Sequence, residues 1–199
     1  MHSSPDPYHS MPSLLIPDLG WRGLRKAGSL ALAAALIAGG FGILRDQLTY
    51  TISPEYFTRM KFAQFHSADF GFPNRVFVAE IGFLATWWVG LIGGWFLARV
   101  AIPKFAKPGK SVLCAIGTIM LAAIFCGLMG HFLGPIYFAH RPQWGEALDS
   151  LGVKNARAFH QVAGTHLGSY AGAMLGWVTM MIVFWKTRPH GDSQSGLAF

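Results

Sequence analysis

The sequence predicts an all-α integral membrane protein: a bundle of four transmembrane helices with two structured outer loops that contain short interfacial helices. Three observations support this prediction. Of the 199 residues, 52% are hydrophobic and only 13% are charged, which is too apolar a composition for an ordinary soluble domain. The apolar residues are gathered into four segments that are long enough to span the hydrocarbon core of a bilayer, which takes about 20 residues each. The fourth segment also carries a regular row of glycines.

That row consists of Gly164, Gly168, Gly172 and Gly176, one glycine at every fourth position. At about 100° per residue these positions fall on one face of a helix. Small residues at this spacing allow two helix backbones to approach closely inside a membrane. We therefore predict that this face packs against a neighbouring helix, and we prefer that interpretation to a slot for a cofactor.

The chain begins with a proline-rich stretch, residues 1–20, which we interpret as a flexible cytoplasmic tail. Basic residues around Arg22 then precede the first apolar run, residues 27–44. This order resembles a secretory signal peptide, but the basic region starts late and no Ala-x-Ala site closes the run. We predict an uncleaved membrane anchor, with a cleaved signal peptide as the alternative.

The first outer loop is predicted to span residues 45–75. Residues 48–52 alternate between apolar and polar side chains, which is typical of a short strand. Ser53 and the proline after it then favour a helix start, and we expect a helix from Pro54 to Phe65 at the level of the lipid headgroups. The stretch LTYTISPEYF, residues 48–57, resembles a motif of bacterial membrane proteins, a resemblance that implies no activity, cofactor or partner.

The second predicted span covers residues 76–98 and the third covers residues 111–134, where Pro135 is expected to stop or kink the helix. The second outer loop, residues 135–157, contains a predicted short helix from Trp144 to Leu151 that Gly152 ends.

The fourth predicted span, residues 158–185, completes a membrane domain that extends from residue 21 to residue 188. A flexible tail, residues 189–199, is expected to follow it.

Basic residues indicate the orientation of the bundle. The segments before the first span, between the second and third spans, and after the fourth span are predominantly basic. Because cytoplasmic segments of membrane proteins carry an excess of Lys and Arg, both termini are predicted to be cytoplasmic. The predicted location is the plasma (inner) membrane of a bacterium, with the bilayer as the first partner.

Three ionisable residues inside predicted spans are candidates for a functional site, because such residues are costly in a membrane. They are Glu80, His131 and His160. Counted along their helices at about 1.5 Å per residue, Glu80 and His131 lie about 28 Å from the inner interface, and His160 lies farther out. Imidazole and carboxylate ligands on separate helices would suit zinc or iron, and a haem is a further possibility.

Simpler interpretations of these residues stay open. Each of the three candidates could be a separate interfacial residue, since metal-binding spacings such as HExxH and CxxC are absent from the sequence. His166 falls on the apolar side of its helix, where an imidazole is expected to reach water. Cys114 and Cys126 are expected to be buried small hydrophobes rather than nucleophiles, because neither has a basic neighbour.

Function is predicted only by class. The leading hypothesis is a non-enzymatic assembly, scaffold or sensor component whose aromatic outer loop, with Tyr56 and Phe57, contacts other membrane proteins or a second copy of the chain. The alternative is a small metal- or haem-binding membrane protein, and the third class is an oligomeric transporter of a small solute. Nucleic acid is not an expected partner, because the net charge of +7 lies in short clusters beside apolar segments.

Overall fold

The computed structural model describes residues 19–188. The predicted flexible tails, apart from residues 19 and 20, lie outside the described residues. Within the described range the secondary structure is helical, with no strand. Four helices of 31 or 32 residues are long and apolar enough to cross a membrane, which confirms the predicted helical class and the number of candidate spans.

The helical elements follow one another with short breaks. In chain order they are α1 (Trp21–Ile52), α2 (Pro54–Tyr56), a π-helical turn (Phe57–Lys61), α3 (Phe62–Gln64), a 3₁₀ turn (His66–Ala68), α4 (Asn74–Lys104), α5 (Pro108–Ala139), α6 (Pro142–Ser150) and α7 (Ala156–Lys186). We call residues 53–73 and 140–155 the cap, and the end of the bundle that carries them the cap end. The opposite end, which carries residues 105–107, is the basic end.

Helix α1 is longer than predicted. Residues 48–52, where a short strand was expected, form its last turn, and the first connection therefore begins at Ser53 rather than at residue 45. The Thr49 hydroxyl lies 3.0 Å from the Arg45 carbonyl oxygen, the back-bonding that Thr side chains make within helices. The alternating pattern is also compatible with a helix. Leu48 and Ile52 are four residues apart and therefore share one helix face, and both are exposed on that face.

The short cap helices lie close to their predicted positions. The first starts at Pro54 as expected, although the Ser53 side chain makes no capping hydrogen bond, and a π-helical turn interrupts the regular α-helix that was predicted up to Phe65. In the second connection, α6 begins at Pro142 rather than at Trp144, because proline is well suited to the first helical position.

Pro135 does not stop α5, which continues to Ala139 and corrects the predicted end of the third span. The proline removes one backbone donor from the helix, yet packing on both sides of it holds the segment in place. Gly134 lies directly against the His160 backbone on α7, and Phe138 is buried in the cap-end core. Tertiary contact therefore outweighs the local penalty.

The four long helices form two closely packed pairs, α1 with α4 and α5 with α7. In the first pair Gly42 and Gly82 face each other, and a Cβ atom on either would overlap the backbone of the other. In the second pair Gly130 and Gly164 are related in the same way. Backbones at this distance gain extensive van der Waals contact in place of the hydrophobic effect, which is weak between helices in lipid.

The predicted glycine row of α7 lies along this second interface. A Cβ atom on Gly168 would overlap the Cys126 carbonyl group, one on Gly172 would overlap the Ala122 carbonyl, and one on Gly176 would lie 3.1 Å from the Ile119 Cα atom. The α5 positions that meet the row are thus about one helical turn apart. The same interface holds Cys126 half-buried, whereas Cys114 is exposed on α5 and is not the buried residue that was expected.

Contacts at each end join the two pairs into one bundle. At the basic end an apolar core includes Leu97 of α4, Val112 of α5 and Phe184 of α7, and the Lys104 ammonium donates hydrogen bonds to the carbonyls at the end of α7. At the cap end a second core surrounds Phe57. The connection between the pairs at the cap end also includes charged groups.

Candidate functional site: a buried ionic cluster beneath the cap

Five polar side chains from α1 and α7 meet beneath the cap. We call them the ionic cluster: Arg45, Asp46 and Thr49 of α1, with His166 and Tyr170 of α7. Asp46 is 1% exposed and His166 is 2% exposed. Ionisable groups are rarely buried so completely, and inside apolar helices they are functional candidates by default.

Arg45 and Asp46 form the charged centre of the cluster. The Arg45 Nε atom donates a 2.9 Å hydrogen bond to Asp46 Oδ1, and Arg45 Nη2 lies 2.8 Å from the same oxygen. The guanidinium also donates from Nη2 to the Tyr170 hydroxyl at 3.3 Å and stacks over that ring at 4.9 Å. Arg45 therefore connects helix α1 to helix α7 through a charge-assisted hydrogen bond and a cation–π contact.

His166 is the second link between these helices. Its Nε2 atom lies 3.2 Å from Thr49 Oγ1 and 3.7 Å from Asp46 Oδ1. Only the first distance is within the range of a direct hydrogen bond. The expectation that His166 reaches water is therefore wrong, because the cap covers the side of α7 on which it lies.

Two atoms of the cluster are buried without a hydrogen-bond partner: Asp46 Oδ2 and His166 Nδ1. The Thr49 hydroxyl lies close to two backbone carbonyls of its own helix, to which it can donate, so we assign the proton of a neutral His166 to Nε2, from which it would point at Thr49 Oγ1. Nδ1 is then an acceptor without a donor. Buried polar atoms without partners are uncommon, and each costs free energy.

Aromatic residues of the cap close the cluster from above. The Tyr56 ring lies 5.0 Å from the His166 ring, and the Phe57 ring lies 6.1 Å from it. Lys61 projects from the π-helical turn with its ammonium 6.0 Å from the Tyr56 ring centre. Burial lowers the pKa of Lys61, while attraction to Asp46 opposes that shift. Burial also raises the pKa of the Tyr56 phenol.

This arrangement corrects the predicted contact surface for a partner. Tyr56 is 5% exposed and Phe57 is 0% exposed, so neither side chain is available to another protein. Tyr56 and Phe57 were predicted to form a contact surface because they belong to an aromatic outer loop, but in the structure α6 and α7 cover them. Truncating them would act on the fold of the cap.

The three residues predicted to form one site lie in different surroundings. Glu80 lines a groove formed by α1, α4 and the loop before α4. His160 packs its ring 5.5 Å from Phe138 and 6.2 Å from Trp144. His131 lies on α5 with its ring 5.2 Å from that of Phe132.

No group of three His, Cys, Asp or Glu residues in the described part of the chain is close enough to hold a metal ion. Glu80, His131 and His160 were predicted at similar depths along the bundle, but similar depth does not bring their side chains together. The face of α4 that carries Gly82 packs against α1, so Glu80 lies at the side of that pair. The geometry of the described residues therefore lends the zinc or iron hypothesis no support.

A second polar contact fastens the two halves of the cap. Glu55, the second residue of α2, accepts hydrogen bonds from the backbone N–H groups of Lys154 and Asn155 at 3.0 Å and 2.9 Å. These bonds lower the pKa of Glu55 below its usual value of 4.5. Asn155 in turn caps α7 by accepting from the Ala158 N–H. One carboxylate therefore ties the first connection to the start of α7.

We expect acid to release this contact. A carboxyl whose pKa is lowered in the folded state stabilises it above the pKa of the unfolded chain, and this contribution disappears as the pH falls through the lower, folded value. Amide hydrogen exchange at Lys154 and Asn155 should therefore accelerate below about pH 4.5 beyond its intrinsic pH dependence. Glu55→Gln should show faster exchange already at pH 7, and Glu146→Gln, on the exposed face of α6, should not. Equal protection in wild type and Glu55→Gln would contradict this.

Sequence reasoning missed the ionic cluster, although a signal for it was present. Asp46 and Thr49 are three residues apart and directly follow an apolar run, while His166 and Tyr170 are four residues apart. Each pair lies on one helix face. The boundary placed at residue 45 assigned Asp46 to a loop, where a charged residue requires no explanation.

Comparison of the chain with protein-family models, with curated proteins and with solved structures returned no match. The function is therefore argued from the geometry of the described residues.

Proposed function

We propose that this protein is a non-enzymatic sensor component of the bacterial plasma membrane that responds to acidification on the side of the cap. The observation that carries the proposal is the ionic cluster, a buried carboxylate, imidazole and guanidinium that connect two otherwise tightly packed helix pairs. The proposal keeps the sensor class of the leading hypothesis and replaces its contact surface.

The proposed orientation follows from the charged residues. In the described chain the basic end carries Lys and Arg residues and no acidic residue: Arg22, Arg25, Lys26, Arg99, Lys104, Lys107, Lys110, Lys186 and Arg188. Every acidic residue of residues 19–188 lies in the half nearer the cap. The excess of positive charge favours a cytoplasmic basic end, so we propose that both termini are in the cytoplasm and that the cap is outside.

A proton would change the cluster in a defined way. With His166 neutral, the buried charges of Arg45 and Asp46 compensate each other. Protonated His166 would add a cation close to Arg45 and Lys61, and its Nδ1 atom would become a buried donor without an acceptor. Burying an uncompensated charge is costly, so protonation would favour an arrangement in which the cluster reaches water.

The titratable groups that face His166 come from α1, the cap and α7. Arg45 and Asp46 lie on α1, Tyr56 and Lys61 lie in the cap, and Tyr170 is one turn away on α7. Asp46 is the one acid among them, and Arg45 already engages it. Because α1 and α7 belong to different pairs, loss of this connection would loosen the contact between the pairs at the cap end, where the apolar core around Phe57 is the other link, while each glycine interface stays closed. A proton would shift the equilibrium between the closed and the loosened contact of the pairs if it binds His166 more tightly in the loosened state.

Distances between spin labels on different helices test this. In a variant with both native cysteines replaced by alanine, Leu48→Cys on α1 and Leu167→Cys on α7 report across the pairs, since both positions are exposed. Between pH 8 and pH 5 in lipid nanodiscs we expect this distance to increase or its distribution to broaden. His166→Phe, which keeps an aromatic ring among the cap aromatics, should remove the pH response.

A matched label pair within one helix pair serves as the control. Leu128→Cys on α5 with Leu167→Cys on α7 spans the glycine interface, and its distance should not change with pH. An unchanged distance across the pairs, or the same change in the His166→Phe variant, would refute the proposed sensor.

A further inference from the structure

An open apolar groove lies on the side of the α1–α4 pair. Its volume is about 320 Å³, within the range of small-molecule sites. The lining is apolar apart from one carboxyl group: Ile43, Phe70, Val76, Ala79, Phe83 and Leu84 surround Glu80. None of these residues belongs to α5 or α7, so the groove is distinct from the ionic cluster.

The Glu80 carboxyl group is incompletely satisfied in this groove. Its Oε2 atom is closed to solvent and has no hydrogen-bond partner. Arg75, the nearest basic residue along the chain, donates to Gln47 at 3.1 Å and stacks over the Tyr50 ring at 5.2 Å. A carboxylate oxygen that is buried without a hydrogen bond costs free energy. A charged N–H donor would remove this cost with the strongest hydrogen bond.

The position of the groove along the helix indicates where that donor would come from. Glu80 is six residues into α4, and therefore about 9 Å from the start of that helix. Phe70, in the loop before α4, is 74% exposed at the cap side of the groove, whereas Leu84 lies one turn deeper in the apolar part. Helix α4 is long and apolar enough to cross a membrane, so its first turns lie at headgroup level when it spans the bilayer. The groove thus extends from headgroup depth into hydrocarbon depth.

We propose that this groove binds a phospholipid whose headgroup carries a primary amine, with the ammonium group donating to Glu80 and the acyl chain lying along Phe83 and Leu84. Rotation of the Glu80 carboxyl group about its Cγ–Cδ bond would present the enclosed oxygen to the groove, where an ammonium headgroup supplies both the N–H donor and the positive charge that the carboxylate requires. A choline headgroup has the same charge but no N–H group, so it cannot satisfy the oxygen. Selection between the two headgroups follows from that difference.

Native mass spectrometry of the intact protein tests the proposal. The protein would be released from nanodiscs that contain equal amounts of phosphatidylethanolamine and phosphatidylcholine with identical chains. We expect one bound ethanolamine lipid per wild-type chain, with a preference of about tenfold over the choline lipid. Glu80→Gln should bind both lipids equally, and Glu146→Gln, an exposed carboxyl of α6, should retain the preference.

A second variant keeps the test valid if Glu80→Gln folds poorly. Ala79→Phe fills the groove and leaves Glu80 in place, so it should lose the ethanolamine lipid with an unchanged melting temperature. A wild-type protein that shows no preference between the two lipids would overturn the proposal. So would a preference that persists in folded Glu80→Gln or Ala79→Phe protein.

Discussion

Asp46→Leu should destabilise the bundle by about 3–5 kcal/mol, because it leaves the Arg45 guanidinium buried without its carboxylate. Arg45 is 6% exposed, and both of its contacts to Asp46 go to one oxygen. The hydrogen bond from Arg45 to Tyr170 cannot neutralise the charge. We expect the loss to appear as a lower midpoint of unfolding in a detergent titration.

The double variant Arg45→Met/Asp46→Leu should recover most of that stability. Apolar residues of similar volume often replace a buried ion pair with little loss, because the cost of desolvating both charges disappears with them. Asp149→Leu, at an exposed position of α6, is the matched control and should stay close to wild type. If the Asp46→Leu protein were as stable as wild type, or if the double variant were less stable than the single one, the two charges would not be coupled as the structure indicates.

This pair of variants also separates the two roles that the ionic cluster could have. A double variant that is stable but no longer responds to pH would show that the buried charges serve the response and not the fold. Keeping an ion pair where an apolar pair would suffice needs a reason other than stability, and the proposed sensor supplies one.

The helical class and the short cap helices could be predicted because their causes are local. Long apolar runs identify candidate spans, and a proline marks the start of α2, whereas α6 begins at Pro142, two residues before the predicted start at Trp144. The strand expected at residues 48–52 shows the limit of this reasoning, since a short alternating stretch carries little information once a helix already extends into it. Pro135 shows that a local signal can also be overridden by packing. The proline was expected to stop or kink α5, but contact with α7 keeps the segment helical beyond it.

The candidate site could not be predicted, because it depends on which helix faces which. Glu80, His131 and His160 were grouped by depth, which the sequence supplies, but their directions depend on the pairing of α1 with α4 and of α5 with α7. His166 is buried only because the cap lies over it, and Asp46 becomes significant only when α1 is known to extend past residue 45. The contacts that join α1 to α7, and those that place the cap over His166, link residues more than 100 positions apart.

The glycine interfaces provide the other large expected effect. Gly164→Val should separate α5 from α7 and cost about 3 kcal/mol or more, at the upper end of overpacking penalties. A Cβ atom at Gly164 would overlap the Gly130 carbonyl group and would lie 2.8 Å from the Gly134 Cα atom. Because these neighbours are backbone atoms, a side-chain rotation cannot relieve the overlap.

The matched control is a glycine of the same pair that meets no neighbour. A Cβ atom on Gly117 of α5 would have no heavy atom within 4 Å, so Gly117→Ala should be neutral or stabilise the helix by about 0.5–1 kcal/mol. Thermal unfolding of the two variants in the same detergent would compare them directly. Equal effects would mean that helix propensity, and not backbone contact, determines the result. A loss confined to Gly164→Val would show that close backbone contact between α5 and α7 stabilises this pair.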